Sequence, residues 1–332
     1  MATTTERPKR TIRKRTDETQ RQAAPPAAAT ATTRIELLRS EDLLAAAQLM
    51  HRTVDDIRRT AGLEPLDFEV KSTPPLLQHI YEQDPELSWG AYDGETLVGF
   101  ATSHIRDHQW HVAYQFVETA HQNRGIGGEL LRTGLGVARE RGAMITSQCT
   151  FTYNPKAIAL YTRLGLFPRK NLILLEGPRC SEMKCPDPPR SIEPSVIDST
   201  SLLNELNHMD REVRGINRSV DHCYWLADED YTGYVFRANN SLVGYAYISR
   251  KGFIAPALAI RDIYLVEIVN HCLHLLKAQY DVTPRIWLNG KNFASLTMLL
   301  NHGFRIKEIA LLMTNRMFCD MRRYIPASLA VF

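Results

Sequence analysis

One stretch limits what this chain can fold into more than any other: Glu118-Thr119-Ala120-His121-Gln122-Asn123-Arg124-Gly125-Ile126-Gly127-Gly128. The apolar run Tyr114-Gln115-Phe116-Val117 before it is strand-like, and Glu129 to Arg141 after it reads as a helix. A strand that breaks into glycines and reopens as a helix is suited to holding an anion. Glycines let the backbone come close to a ligand, and the first N–H groups of a helix have no partner within it. The macrodipole adds about half a positive charge at that end. The expectation is a cradle for the pyrophosphate of a nucleotide-like cofactor. A dinucleotide-binding fingerprint does not fit, because its third glycine would fall on Leu130 and the loop comes late, after a hairpin. Nor does a Gly-Lys-Ser/Thr phosphate loop, since no such triplet follows.

The length, 332 residues, suits two domains. No apolar run approaches the roughly 18 residues of a membrane span, and the polar, basic start is not a secretory signal. Six cysteines without a dense framework suggest a reducing, cytoplasmic setting. Cys180 and Cys185 lack a CxxC pair or clustered histidines, so structural thiols are expected and a metal is not. Residues 1–33 carry seven Lys/Arg against Glu6, Asp17 and Glu18, and read as a disordered basic tail. The rest is close to neutral, which gives the body no electrostatic case for nucleic acid.

From Thr33 onward a short strand, Arg34 to Leu38, precedes a helix capped by Ser40, and a second helix begins after Pro74-Pro75. A hairpin turns at Asp93-Gly94, and a polar and aromatic segment, His104 to His111, connects it to the strand Trp110–Val117. A strand from Met144 to Phe151, a helix from Asn154 to Leu164 stopped by Gly165, and a strand at Leu172–Leu175 complete the unit. Residues 178–195 have a linker's proline and polar content. Beyond them the order repeats. Leu242-Val243-Gly244-Tyr245-Ala246 echoes Leu97-Val98-Gly99-Phe100-Ala101, and Asn292 to Gly303 echoes Asn154 to Gly165. This predicts a duplicated α/β (α+β) domain, over residues 34–177 and 196–332, each copy a mixed, mostly antiparallel twisted sheet flanked by helices.

Gln122-Asn123-Arg124-Gly125-Ile126-Gly127 resembles the acyl-CoA loop of the GNAT family of N-acetyltransferases, Gln/Arg-x-x-Gly-x-Gly/Ala, set between a central strand and a long helix. About thirty residues on, Asn154-Pro155-Lys156-Ala157, Leu160-Tyr161 and Leu164-Gly165-Leu166-Phe167 are similar to that family's Asn/Tyr helix. Leu166 is inserted before the aromatic, and Thr119 stands where many members have Pro; neither change removes a group the reaction needs. The resemblance covers about residues 33–176. The second half is similar less closely, as in tandem members of the family such as mycothiol synthase.

What the resemblance implies is transfer of an acetyl group from acetyl-CoA to a primary amine of a small molecule or peptide, without a metal. Backbone N–H groups from Gln122 through Asn123, Arg124, Gly125, Ile126 and Gly127 to Gly128 would hold the pyrophosphate, and Arg124 and Arg132 could add charge. A splayed central strand would offer N–H groups near Phe116 and Val117 to the thioester and its arm. Tyr161, a phenol with a pKa near 10, could protonate the leaving thiolate; the other reading is a packed core aromatic. Asn154 could bond the arm, cap its helix, or do both. For the base, Glu118 at the end of the strand leads His104, His108 and His111. The second half lacks the cradle, since Ala259-Ile260-Arg261-Asp262-Ile263 occupies its place, and Leu299 stands where Tyr161 would. It is expected to be catalytically silent, with Asn292 serving as a cap. Two other readings stay open: a non-catalytic acyl-CoA-binding module, and a protein acetyltransferase whose basic tail holds its target.

Overall fold

Strand β1 (Arg34–Leu37) opens the fold and pairs antiparallel with β2 (Ser88–Asp93); helices α1 (Leu43–Thr60) and α2 (Pro75–Gln83) lie between them in sequence. The computed structural model describes residues 33–66, 68–184, 187–188 and 190–332. The tail expected over residues 1–33 falls outside them except for Thr33, as does Cys185. β3 (Thr96–Arg106) and β4 (Gln109–Val117) continue the sheet as antiparallel neighbours. α3 (Ile126–Glu140), β5 (Ile145–Phe151), α4 (Pro155–Arg163) and β6 (Phe167–Glu176) complete the first half.

The second half repeats this order of strands and helices. It runs β7 (Glu193–Val196), α5 (Leu203–Arg214), α6 (Ser219–Ala227), β8 (Tyr231–Ala238), β9 (Ser241–Ser249) and β10 (Ile254–Ala259). α7 (Asp262–Gln279), β11 (Arg285–Asn289), α8 (Phe293–Asn301) and β12 (Arg305–Thr314) follow, and a short β13 (Tyr324–Ile325) is added at the end. One sheet has the order β1-β2-β3-β4-β5-β12-β6-β11 and the other β13-β10-β9-β8-β7. The paired strands are antiparallel except β4 and β5.

The last strand of each half therefore completes the other half. β12 pairs with β5, while β6 pairs with β11, and β6 and β12 lie side by side. The duplication is a pair of interleaved copies, and residues 33–332 form one compact unit. The expected linker is docked as well. Cys180, Met183 and Ile192 are buried in the core, and Met183 O accepts from Lys277 Nζ at 2.6 Å.

Alternation along β4 sets up the site. Tyr114 and Phe116 pack against Leu43, Ala46 and Leu77 of the α1–α2 layer. Val117 instead packs beside Ile126 and Leu130 of α3. Several local expectations shift. Ser40 opens a short 3-10 turn and makes no side-chain cap for α1. The tight turn of the first hairpin is Gly94-Glu95, one residue later than expected, with Gly94 at φ +61°. α3 begins at Ile126, three residues early, because Gly125 at φ +86° already turns the chain. His104 to His111 is not a connecting loop: β3 and β4 run through it and turn at Asp107-His108. Leu166, the insertion, is buried in the first half's core, while Phe167 is exposed.

Candidate active site

β4 pairs with β5 only from Gln109 to Val112. Past that point the two separate, so the β5-facing edge of Ala113 to Val117 has no strand partner among the described residues. A cavity of about 550 Å³ opens there. Its walls are Gln115, Phe116 and Val117 of β4, the turn residues Gln122, Asn123 and Gly125 to Gly128, and Asn154, Ala157, Leu160 and Tyr161 around α4. The far wall is α1, through Thr53, Asp56, Ile57 and Thr60.

The turn is built to keep its N–H groups presented. Asn123 at φ +64° and Gly125 at φ +86° both take the left-handed conformation, which costs glycine nothing and asparagine little. Gln122 is fixed from both ends: its Nε2 donates to Val117 O at 3.0 Å, and its Oε1 accepts from Lys156 Nζ at 3.1 Å. Arg124 folds back to Ala120 O at 3.1 Å. The Arg132 guanidinium lies over Gly128, where a Cβ would come within 3.1 Å of it. Together these residues fit an anionic pyrophosphate at the start of α3.

Tyr161 is buried, and its hydroxyl stands in a chain of hydrogen bonds. Gln148 Nε2 donates to it at 2.6 Å, it donates to Gln115 Oε1 at 2.8 Å, and Gln115 Nε2 donates to Gly127 O at 3.0 Å. Burial pushes its pKa well up, and the Gln148 hydrogen bond works in the opposite direction. The phenol stays protonated and has a proton to give. Gln115 ties that phenol to the cradle, a role the sequence alone does not assign. A signal for it exists: period two puts a polar residue on the same face as Val117, toward α3. Asn154 does cap α4, accepting from Ala157 N at 3.2 Å, and it also lines the cavity.

The carboxylates are arranged differently from expectation. Glu118 is not among the lining residues; its carboxylate lies 3.0 Å from His121 Nδ1. Asp56 does line the cavity. Thr119 Oγ1 donates to its Oδ2 at 2.6 Å, so the threonine in place of the family's proline fastens α1 to the turn. His104 and His111 are buried away from the cavity. Their Nε2 atoms reach Ala330 O at 3.2 Å and Leu329 O at 3.0 Å, and since carbonyls only accept, both nitrogens carry the proton. Burial lowers the pKa of both, that of His111 to about 4. The native state holds them neutral, whereas the unfolded chain takes up protons below pH 6.5. Stability is therefore full above that pH and falls as the pH drops toward 4. Each proton gained only on unfolding adds a loss of about 1.4 kcal/mol per pH unit. Urea midpoints at pH 7.5 and pH 5 check this; equal midpoints would remove the two histidines from the acid response.

In the second half the equivalent places are filled by the chain itself. β10 and β11 form no ladder among the described residues; the one bridge near them joins Phe253, just before β10, to Arg285. The freed edge of β10 is taken by β13, with Ala257 opposite Ile325 and Leu258 opposite Tyr324, and Ala259 N donates to Arg323 O at 2.9 Å. At the start of α7 the Asp262 carboxylate accepts from Ile263 N at 3.0 Å. Leu299 is buried where Tyr161 stands in the first half. Asn292 does not cap α8 through its side chain. Its Nδ2 holds Met321 O and Arg322 O at 2.9 and 3.0 Å, fixing the chain that leads into β13.

Residues 54–166 match the model of the acetyltransferase (GNAT) family. No curated protein sequence matches the chain. Among solved structures, a candidate acetyltransferase from Pyrococcus horikoshii superimposes with a TM-score of 0.70 at 14% identity, covering 94% of this chain and 100% of that one. A GCN5-related N-acetyltransferase from Sphaerobacter thermophilus gives 0.60 at 13% identity, covering 88% and 98%. A tandem GNAT protein from the clavulanic acid biosynthesis pathway gives 0.55 at 12% identity, covering 85% and 98%. The turn and the Asn/Tyr helix both lie within the matched residues, and the likeness in fold extends over both halves: the chain has the fold of tandem GNAT proteins, with the family's own match confined to residues 54–166.

Proposed function

We propose that the protein transfers the acetyl group of acetyl-CoA to a primary amine of a small molecule or peptide. The observation that carries this reading is the meeting, in one cavity, of the left-handed glycine turn, the unpaired edge of β4 and the phenol of Tyr161. The turn and the start of α3 hold the pyrophosphate, and the β4 edge near Phe116 and Val117 receives the arm and the thioester oxygen. The amine lone pair forms the new C–N bond, the C–S bond breaks, and the Tyr161 hydroxyl gives its proton to the departing thiolate. The amine's excess proton leaves to water, and a proton from water restores the Tyr161 hydroxyl. On this reading residues 34–177 are the catalytic copy and residues 196–332 a degenerate one, joined by residues 178–195. The proposed setting is the cytoplasm, where thiols such as Cys180 and Cys272 stay reduced.

Asp56 is the one carboxylate among the described residues that line the cavity, and it lies on the α1 wall. Its Oδ1 pairs with Arg59 Nη1 at 2.8 Å and its Oδ2 with Thr119, and the remaining lone pairs are suited to draw in an ammonium group before the amine loses its proton. Asp56→Asn is expected to raise the KM for the amine by about tenfold and that for acetyl-CoA by less, since the lost charge faces the amine directly while the Thr119 contact that fastens α1 to the turn is only weakened. An unchanged amine KM would take Asp56 out of acceptor binding.

The test of the whole reading is release of CoA thiol from acetyl-CoA with a panel of primary amines. A second reading, an acyl-CoA-binding module without turnover, draws support from the Tyr161 proton being already engaged by Gln115. Acetyl-CoA that binds but is not cleaved with any amine would favour it.

A further inference from the structure

Two walls of the cavity, α1 and the loop after β5, are held together by a residue from the other half of the chain. Glu308 lies on β12, the strand inserted beside β5. A bulge there puts Ile306 opposite Leu175 and Glu308 opposite Leu174, leaving Lys307 as the extra residue. Bulges of this kind redirect side chains. Glu308 forms an ion pair through Oε1 with Arg58 Nη1 of α1, and its Oε2 lies 3.5 Å from the Tyr153 hydroxyl. The pair is largely buried, the two side chains being 16% and 18% exposed. Arg58 Nε also donates to Glu64 O at 2.6 Å, which fixes the turn leaving α1. On the other side, the Tyr153 ring stacks on Phe151 at 5.0 Å, and Thr152 donates twice to Ile309 O. The neighbours of these groups are cavity walls: Ile57 and Thr60 flank Arg58, and Tyr153 itself lines the cavity next to Asn154.

We infer that Glu308 is a positioning residue for the acceptor: the degenerate half serves the reaction by clamping α1 to the loop that follows β5, and so sets the width of the cavity between them. This rests on the acyl-transfer reading above. Two features separate the clamp from general support of the fold. The cradle has its own fixings, Gln115 to Gly127 O and Gln122 to Val117 O, and needs nothing from Glu308. Nor does the clamp itself touch the turn: the partners of Glu308 are Arg58 and Tyr153, while the two walls meet the turn separately, through Asp56–Thr119 and Lys156–Gln122. Loss of Glu308 leaves a largely buried guanidinium and a phenol without their carboxylate, so the walls are free to separate.

The experiment uses the full chain, acetyl-CoA and a panel made up of a diamine, an amino sugar, an amino acid and a lysyl peptide. Glu308→Ala is expected to raise the KM of the best amine by about tenfold, and Glu308→Gln, which keeps an acceptor oxygen for Arg58, by less than about threefold. Both variants should leave the KM and Kd for acetyl-CoA unchanged. An amine KM that does not move in Glu308→Ala, or that rises in step with the acetyl-CoA KM, overturns the proposal. Should Glu308→Ala fail to fold, Arg58→Met removes the other partner while keeping a good helix former, and the same split is expected. If the wild type turns over no amine, the failure belongs to the reaction. Hydrogen exchange with CoA bound then decides the clamp: faster exchange at residues 55–60 and 152–156 in Glu308→Ala, with residues 122–130 unchanged, supports it, and no difference overturns it.

Discussion

Tyr161→Phe is expected to lower kcat by about 10²- to 10³-fold while leaving the affinity for acetyl-CoA within about twofold, because a positioned general acid contributes in that range and the pyrophosphate contacts lie elsewhere. The phenylalanine keeps the ring that packs with Leu131, Leu135 and Leu166, so the core of the first half is retained. What is lost is one hydroxyl and the hydrogen bonds on either side of it. Gln148 Nε2 loses its acceptor and Gln115 Oε1 its donor, which costs stability on the order of 1–3 kcal/mol for buried polar groups left unpaired. Rate and stability therefore have to be measured together, by steady-state thiol release and by thermal melting at the assay temperature. A kcat equal to the wild type, with acetyl-CoA still bound, would return Tyr161 to a purely structural role. The hydrogen-bond chain makes a further distinction possible. Gln148→Leu removes the donor to the phenol and keeps the acid, so its kcat should fall much less than that of Tyr161→Phe.

The first half is legible in the sequence because its signals are local. The turn needs glycine at the one position where φ is +86°, the cap of α4 needs a side-chain oxygen at Asn154, and the stop at Gly165 needs φ +83°. Each requirement can be met only by one or two residue types, so the residue points to the geometry. The interleaving is not legible, for the opposite reason. β6 and β12 are both strands of ten residues, mostly exposed along the first half and mostly buried along the second, and either would sit beside β5 by its pattern alone. Which one does so is decided by pairing over more than 150 residues of sequence, a choice local alternation does not encode. The same holds for Glu308, whose partners Arg58 and Tyr153 lie in the other half, and for Asn292. Asn292 looks like a copy of Asn154 in sequence, but its side chain grips the segment leading to β13. Glu118 shows the limit on the site itself. Its place just past the central strand follows from the pattern, yet which way a strand-end side chain turns depends on its neighbours. Here it lies against His121 instead of lining the cavity.

Gly127→Val is expected to weaken acetyl-CoA binding by more than about 100-fold, equivalent to about 2.7 kcal/mol, with the fold intact. A Cβ at this position would lie 2.7 Å from Gln115 Nε2, so even the first added carbon displaces the amide that links the cradle to Tyr161. The valine methyl groups then reach Leu160 and Val117, both walls of the cavity. Gly125 fails by another route. Nothing lies within 4 Å of the place a Cβ would take there, so space is free, but φ +86° is strained for any side chain and most of all for a β-branched one. Gly125→Ala should therefore cost binding through a shifted turn, by about tenfold, and less than Gly127→Val. Gly136 supplies the control. It sits in the same helix, has ordinary helical geometry and open space around it, and Gly136→Ala should stabilise the fold by up to about 1 kcal/mol with no effect on binding. Isothermal titration with acetyl-CoA alone measures all three without knowledge of the acceptor. Affinity retained in Gly127→Val would place the cofactor outside this cavity, and with it the entire acyl-transfer reading would fall. Equal losses in all three variants would show damage to the helix, not to a cradle at its first turn.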